Sequence, residues 1–190
     1  MTTKALKTQE LILETALKHF LKEGYAGASL RKIVKDAGLT TGAFYKYYPT
    51  KEMLFNALID PYLEEIYRIY DQVLDQFEKL SPNDQTKNMT QSSGDGLEQM
   101  VDYIYAHYDH FRLLLKCGDS GKYAEFMHNM VNREIKATHK YLDKMKETGI
   151  EVPEVSDLMM HMVYTGFFSS VLQIIEHDIV KDIAKKNLYQ

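Results

Sequence analysis

A chain of 190 residues, 45% of them apolar and 26% charged, can bury a sizeable core and is not a disordered tract. Its one cysteine, Cys117, excludes an intrachain disulfide framework and fits a reducing cytoplasm, and the alternating charges of residues 4–22 are not those of a signal peptide. The net charge of −4 conceals an asymmetry: residues 1–55 carry nine Lys and Arg against five Asp and Glu, while the remainder carries fourteen against twenty-two, so positive potential gathers at one end.

The first helix is predicted from about Lys7 to Glu23, with Ile12, Leu13, Ala16, Leu17, Phe20 and Leu21 forming a broad apolar stripe and Gly24 stopping it. Ser29 stands where a second helix begins, and Leu30, Ile33, Val34 and Ala37 share one of its faces. Gly38 can end that helix in the left-handed conformation, Leu39 can plug the corner, and Thr40 suits the N-cap of a third helix over about 41–47. On this third helix Ala43 and Phe44 can face inward, leaving Thr41, Gly42, Tyr45 and Lys46 outside. Two helices joined by a short glycine turn, the second dressed in small polar residues, a tyrosine and a lysine, have the layout of a helix-turn-helix that enters the DNA major groove. Pro49 ends the third helix and Thr50 caps a fourth, whose inner face begins with Leu54, Phe55 and Leu58.

Pro61 falls ten residues into that fourth helix and predicts a break or kink near Asp60. Residues 81–96, rich in Ser, Asn, Asp, Thr and Gly, read as a mobile loop. Helical patterning returns over about 97–116, then from about Lys122 to Lys146, from the cap Ser156 to about Glu176, and in a last segment with Ile179, Val180, Ile183 and Leu188 on one side. No strand pattern and no repeat occurs, so the fold class is all-α. The apolar run Met162 to Ile175 is too short to span a bilayer, and no membrane association is expected.

The string Ala37-Gly38-Leu39-Thr40-Thr41-Gly42-Ala43-Phe44-Tyr45-Lys46-Tyr47-Tyr48-Pro49-Thr50-Lys51-Glu52, preceded by a long helix ending in Phe20 and Gly24-Tyr25, resembles the DNA-binding signature of the TetR family of transcriptional regulators. The resemblance covers about the first 55 residues; beyond them the chain is similar only in length and helical pattern. It implies an N-terminal helix-turn-helix domain of three helices, residues 1–50, followed by a helical ligand-binding and dimerisation bundle, residues 51–190. Carried over by position, Thr40, Thr41 and Gly42 would meet base edges or phosphate, with Gly42 permitting close backbone approach. Tyr45 would pack on the sugar-phosphate chain or a thymine methyl; Lys46 and Tyr47 would reach phosphate; Lys51 would add a cation beside a helix N-terminus. Arg31 is the candidate for a bidentate guanine contact, and Ser29 either donates to phosphate or serves as an N-cap.

The C-terminal segment is rich in Tyr, Phe and Met. Most of these build a helical core, but Tyr105, Phe111, Met127, Met130, Tyr164 and Phe168 are candidates to line an adaptable apolar pocket. Thr165-Gly166 and Ser169-Ser170 flatten a stripe on the penultimate helix where a partner helix could pack closely, and the resemblance implies a homodimer through the last two helices. The expected protein is thus a cytoplasmic regulator, a repressor, that binds a palindromic double-stranded DNA operator as a homodimer and is released by a small apolar or amphipathic effector. The alternative is a DNA-binding or chromosome-associated protein of the same fold without a ligand.

Other motifs carry less. Gly118-Asp119-Ser120-Gly121 matches the tetrapeptide around a serine-protease nucleophile, but here it falls in a helix-to-helix turn. His107 with His110, and Glu176-His177-Asp178, would need ligands from other helices to hold a metal. No catalytic set, metal site or cofactor is expected.

Overall fold

The computed structural model describes residues 3–188, with the side chains of Thr90, Asn187 and Leu188 excepted, so Leu188's predicted place on the last apolar stripe lies outside the description. The described residues form helices and no strand: α1 (Thr3–Gly27), α2 (Leu30–Asp36), α3 (Thr41–Tyr45), α4 (Lys51–Glu78), α5 (Pro82–Ala106), α6 (Tyr108–Lys116), α7 (Lys122–Glu147), α8 (Asp157–Glu176) and α9 (Lys181–Leu188), with a 3-10 turn at Gly118–Ser120. They gather into two compact units, one of Met1–Glu64 with His107–Ala124, the other of Glu65–Ala106 with Glu125–Gln190.

In the first unit the apolar stripe of α1 is buried at Ile12, Ala16 and Phe20, against which Ile33, Val34, Phe44, Leu54, Phe55 and Leu58 close. Phe20, Tyr25 and Phe55 form an aromatic cluster with ring centres 5.0 to 6.0 Å apart. Gly24 does break α1 locally: at φ 73° and ψ 175° it leaves helical geometry, and the chain resumes one further turn to Gly27. Gly38, at φ 66°, ends α2 as predicted; Leu39 N–H bonds back to Val34 and Gly38 N–H to Lys35, the paired bonds of a Schellman ending.

Two expectations fail. Pro61 does not break α4, which continues through it from Lys51 to Glu78. Nor are residues 81–96 a loop, because α5 begins at Pro82 and runs through them. The reason is local: Ser81 Oγ accepts from Asp84 N–H at 3.2 Å and bonds the Asp84 carboxylate at 2.6 Å, a capping pair with Pro82 at the first helical position. The amide of buried Gln85 donates to the Phe77 carbonyl at 2.8 Å, closing the end of α4. Gly96 permits helix contact, since a Cβ there would lie 2.7 Å from a Val73 methyl.

In the second unit α8 is capped by Ser156, whose hydroxyl accepts from Met159 N–H. One side of α8 is buried through Met160, Phe168, Val171, Leu172, Ile174 and Ile175. Its other side leaves Leu158, Met159, Met162, Val163 and Phe167 between 47% and 71% exposed, as are Val180 (60%) and Ile183 (52%) beyond it. Whereas the run Met162 to Ile175 alone is too short for a bilayer, the helix adds Leu158, Met159 and Met160, and at 20 residues it is long and apolar enough to cross one by length and composition.

Candidate nucleic-acid interface and apolar cavity

α3 is short because its two ends are held by side chains and sequence together. Thr40 caps it, its hydroxyl accepting from Ala43 N–H at 3.2 Å, and the backbone turns after Tyr45 before Pro49. Phe44 is fully buried and Tyr48 nearly so, the Tyr48 hydroxyl accepting from the Gln9 side chain at 3.0 Å. With those two rings inside, Thr40, Thr41, Gly42, Tyr45 and Lys46 are exposed on one surface and Tyr47 is half-buried. A Cβ at Gly42 would meet no atom within 4 Å, so this glycine leaves a shallow bare patch of backbone on the outer face. Tyr45 stands edge-on to Phe44, with its ring centre 5.6 Å away.

Arg31 on α2 is exposed, and among the described residues no carboxylate pairs with it. Ser29 starts α2 in an extended conformation, but its hydroxyl makes no capping bond. Lys51 is engaged: its ammonium donates to the Ala26 carbonyl at 3.1 Å and lies 4.9 Å from the centre of the Tyr25 ring. The N–H of the same Ala26 donates to the Asp119 carboxylate at 2.9 Å. Lys51 and Asp119 therefore clamp the turn between α1 and α2 from both sides, and the Gly118–Gly121 motif is a structural turn whose Ser120 hydroxyl accepts from Lys122 N–H at the start of α7. Lys51 was read from the sequence as a phosphate contact; its position on the Ala26 carbonyl could not be foreseen, because the two residues meet only when α1 and α4 pack.

The second unit holds a cavity of about 540 Å³, walled by parts of α4, α5, α7 and α8. Tyr164 and Phe168 of the six sequence candidates lie in its wall. The other four do not. Phe111 is buried in the first unit, Met127 and Met130 fill the core at the start of α7, and the Tyr105 hydroxyl donates to the Ile179 carbonyl. The α7 stripe reaches the cavity only a turn later, through Glu134, Ala137, Thr138, Tyr141 and Leu142. Tyr70, Val73, Leu74 and Phe77 of α4 and Met89 to Met100 of α5 complete much of the wall, and treating 81–96 as a loop removed the latter from view.

The polar groups of the cavity are few. Tyr70 donates a short hydrogen bond to Glu134, and Thr138 and Tyr164 share one of 2.7 Å. Burial, together with the neighbouring Glu134 carboxyl, pushes the Tyr70 phenol far above its usual value. Burial also raises the Glu134 carboxyl, with the Tyr70 bond pulling the other way. Glu134 had a visible signal: it sits at helical spacing within the stripe Met127, Met130, Val131, Thr138, Tyr141, a carboxylate on a core face.

Two of the histidine candidates, His110 and His177, have structural roles. His110 Nδ1 bonds the Leu58 carbonyl at 2.9 Å and its ring stacks on Tyr62 at 3.7 Å, while His177 ends α8. Among the described residues no three His, Cys, Asp or Glu side chains are placed to hold a metal ion.

Comparison with known proteins places these features. Residues 12–58 match the family described as bacterial regulatory proteins, tetR family. The HTH-type transcriptional regulator YuxN of Bacillus subtilis is 39% identical over 59 residues, 31% of this chain and 20% of YuxN. The HTH-type transcriptional repressor AcnR of Corynebacterium efficiens is 36% identical over 55 residues, 29% of each chain. The chain thus matches between a fifth and a third of the length of these two relatives. Over nearly its full length it shares a fold with the TetR-family regulator PfmR of Thermus thermophilus, with a TM-score of 0.61 at 17% identity, covering 98% of this chain and 94% of PfmR. Residues 12–58 thus carry the match to the tetR family, and nearly the whole chain shares the fold of a TetR-family regulator.

Proposed function

We propose that the chain is a cytoplasmic repressor that binds a palindromic operator as a homodimer and releases it when a small apolar or amphipathic effector enters the second unit. The observation that carries DNA binding is the outward set Thr40, Thr41, Gly42, Tyr45 and Lys46 on a capped helix whose inner face, Phe44 and Tyr48, is sealed into the core. In this reading α3 enters the major groove, Gly42 allows the backbone close to the DNA, and Tyr45, Lys46 and Tyr47 meet the phosphate chain. Arg31 reads a base edge, and the unengaged Ser29 hydroxyl donates to phosphate. Lys51 contributes from its place on Ala26, holding the turn while its charge adds to the positive end.

The homodimer reading is supported by the exposed face of α8 and the exposed Val180 and Ile183 after it. So many large apolar side chains left exposed on one helix and the segment after it are uncommon on a monomer. Gly166 and Ser170 are exposed on the same helix, where small side chains admit a second α8 closely. A bundle of two α8–α9 pairs covers this face more completely than a bilayer, because His161, Thr165 and Gln173 also lie along it. Two-fold symmetry then presents two recognition helices to half-sites about 34–36 Å apart.

A cavity of 540 Å³ is within the size range of small-molecule sites and favours the effector-released repressor over a ligand-free protein of the same fold. α4 carries both Lys51 and the wall residues Tyr70, Val73, Leu74 and Phe77, which makes it the element through which an effector acts. The test is selection of bound sequences from random DNA by the purified protein, then titration of the recovered site. A palindrome bound with two protomers supports the reading; recovery of no preferred sequence overturns it.

A further inference from the structure

We propose that the occupant of the second unit's cavity is a lipophilic cation, an apolar molecule bearing a quaternary or protonated nitrogen that is held against Glu134. This rests on the effector reading above and adds the sign of the ligand's charge.

Among the described residues the wall contains one carboxylate, Glu134, and no Lys, Arg or His. The carboxyl accepts from Tyr70, but among the described residues no cationic side chain offers it a countercharge. Arg133, its neighbour in sequence, is committed elsewhere: its guanidinium bonds Asp71 at 3.0 Å and lies 4.1 Å from the centre of the Tyr67 ring. An acid on a core stripe without a cation is destabilising, so the fold alone gives no reason for it. A ligand that brings the missing positive charge does.

The rest of the wall fits the same class. Leu74, Phe77, Leu97 and Met100 offer an apolar body, and the aromatic residues Tyr141 and Phe167 line the same wall, a residue type whose ring face attracts a cation. Thr138 and Tyr164 hydrogen-bond each other, which leaves one hydroxyl proton at this end of the wall and no charge. A fatty acid or a phosphorylated lipid is disfavoured, since its head group would meet Glu134 inside a low-dielectric cavity with no basic residue to separate the like charges.

The experiment compares three twelve-carbon probes, dodecyltrimethylammonium, dodecanol and dodecanoate, by calorimetry with the full chain, below their aggregation concentrations. The cation is expected to bind at least tenfold more tightly than dodecanoate. Glu134→Gln keeps the side chain's size and an acceptor for Tyr70; it is expected to erase that preference and leave dodecanol unaffected. Should that variant fail to fold, Glu134→Asp draws the carboxylate back by one methylene and is expected to weaken only the cation, several-fold. Dodecanoate binding as well as the ammonium, or ammonium affinity indifferent to whichever variant folds, overturns the inference. Dodecanol binding without cation preference overturns this inference alone. Failure of all three probes and of a wider set of apolar compounds, with operator binding intact, overturns the effector reading along with it.

Discussion

Replacing Lys51 by alanine separates holding the domain together from holding DNA. The ammonium makes one charge-assisted bond to the Ala26 carbonyl and one cation–ring contact with Tyr25. A hydrogen bond to a charged group contributes about 1.5–3 kcal/mol when sheltered, and this half-exposed one closer to 1. The ring contact adds about 0.5–1 kcal/mol. Lys51→Ala is therefore expected to lower stability by about 1.5–2 kcal/mol, which for a chain of this length lowers the melting temperature by about 3–8 °C. Lys46→Ala, an exposed side chain, is expected to change stability by less than about 0.5 kcal/mol. On DNA both should lose affinity across sequences, but Lys46→Ala should also flatten the plot of log affinity against log salt by about 0.9 per lost phosphate contact. Scanning calorimetry gives the first quantity, and fluorescence anisotropy between 50 and 200 mM salt, as is usual for such plots, gives the second. A double-mutant cycle with Tyr25→Leu should return a coupling of about 0.5–1 kcal/mol. If Lys51→Ala melts with the parent and shows no coupling to Tyr25, the clamp on the turn is not a stabilising contact and the reasoning fails.

Arg31→Ala should cost about 1–3 kcal/mol in operator affinity and relax preference at one base pair per half-site, read by binding to a set of single-position operator variants. Gly166→Arg, where open space surrounds the glycine, should leave a folded monomer; an unchanged dimer in sedimentation places the interface elsewhere. Cys117 is fully buried and burial pushes its thiol up to about 11, so iodoacetamide at neutral pH should label it only after denaturant unfolds the chain; rapid labelling of the native protein contradicts its position. Burial holds the His110 imidazole below its usual value, against the opposing bond to Leu58, so the unfolded chain takes up the proton more readily. Stability should accordingly fall as pH drops from about 6.5 towards the lower native value, and His110→Gln should flatten that slope in urea titrations. Burial raises Glu134, which gives the opposite sign: its contribution weakens as pH rises above about 4.5, and Glu134→Gln should be neutral or stabilising at pH 7.

What the sequence alone determined is whatever depends on near neighbours in the chain. Amphipathic spacing, the ends at Gly24 and Gly38, and the caps Thr40, Thr50 and Ser156 are local, and the structure reproduces each of them. The exposed surface proposed to meet DNA is equally local, because once Phe44 and Tyr48 are inward the 3.6-residue period leaves Thr41, Gly42, Tyr45 and Lys46 outside. Residues 81–96 were also readable in principle, from Ser81, Pro82 and Asp84, but glycine and serine content outweighed the cap signal. Tertiary structure overrode that content, since α5 makes close contact at Gly96 and Val73 and is held at its start by Gln85. Pro61 shows the same limit: the sequence marks a missing donor, while packing decides whether the helix goes on. Which aromatic and Met side chains surround a cavity and which fill a core was likewise decided in three dimensions. Met130 and Tyr141 occupy one stripe of α7, yet the first is sealed and the second lines open space, because that depends on which helices stand opposite.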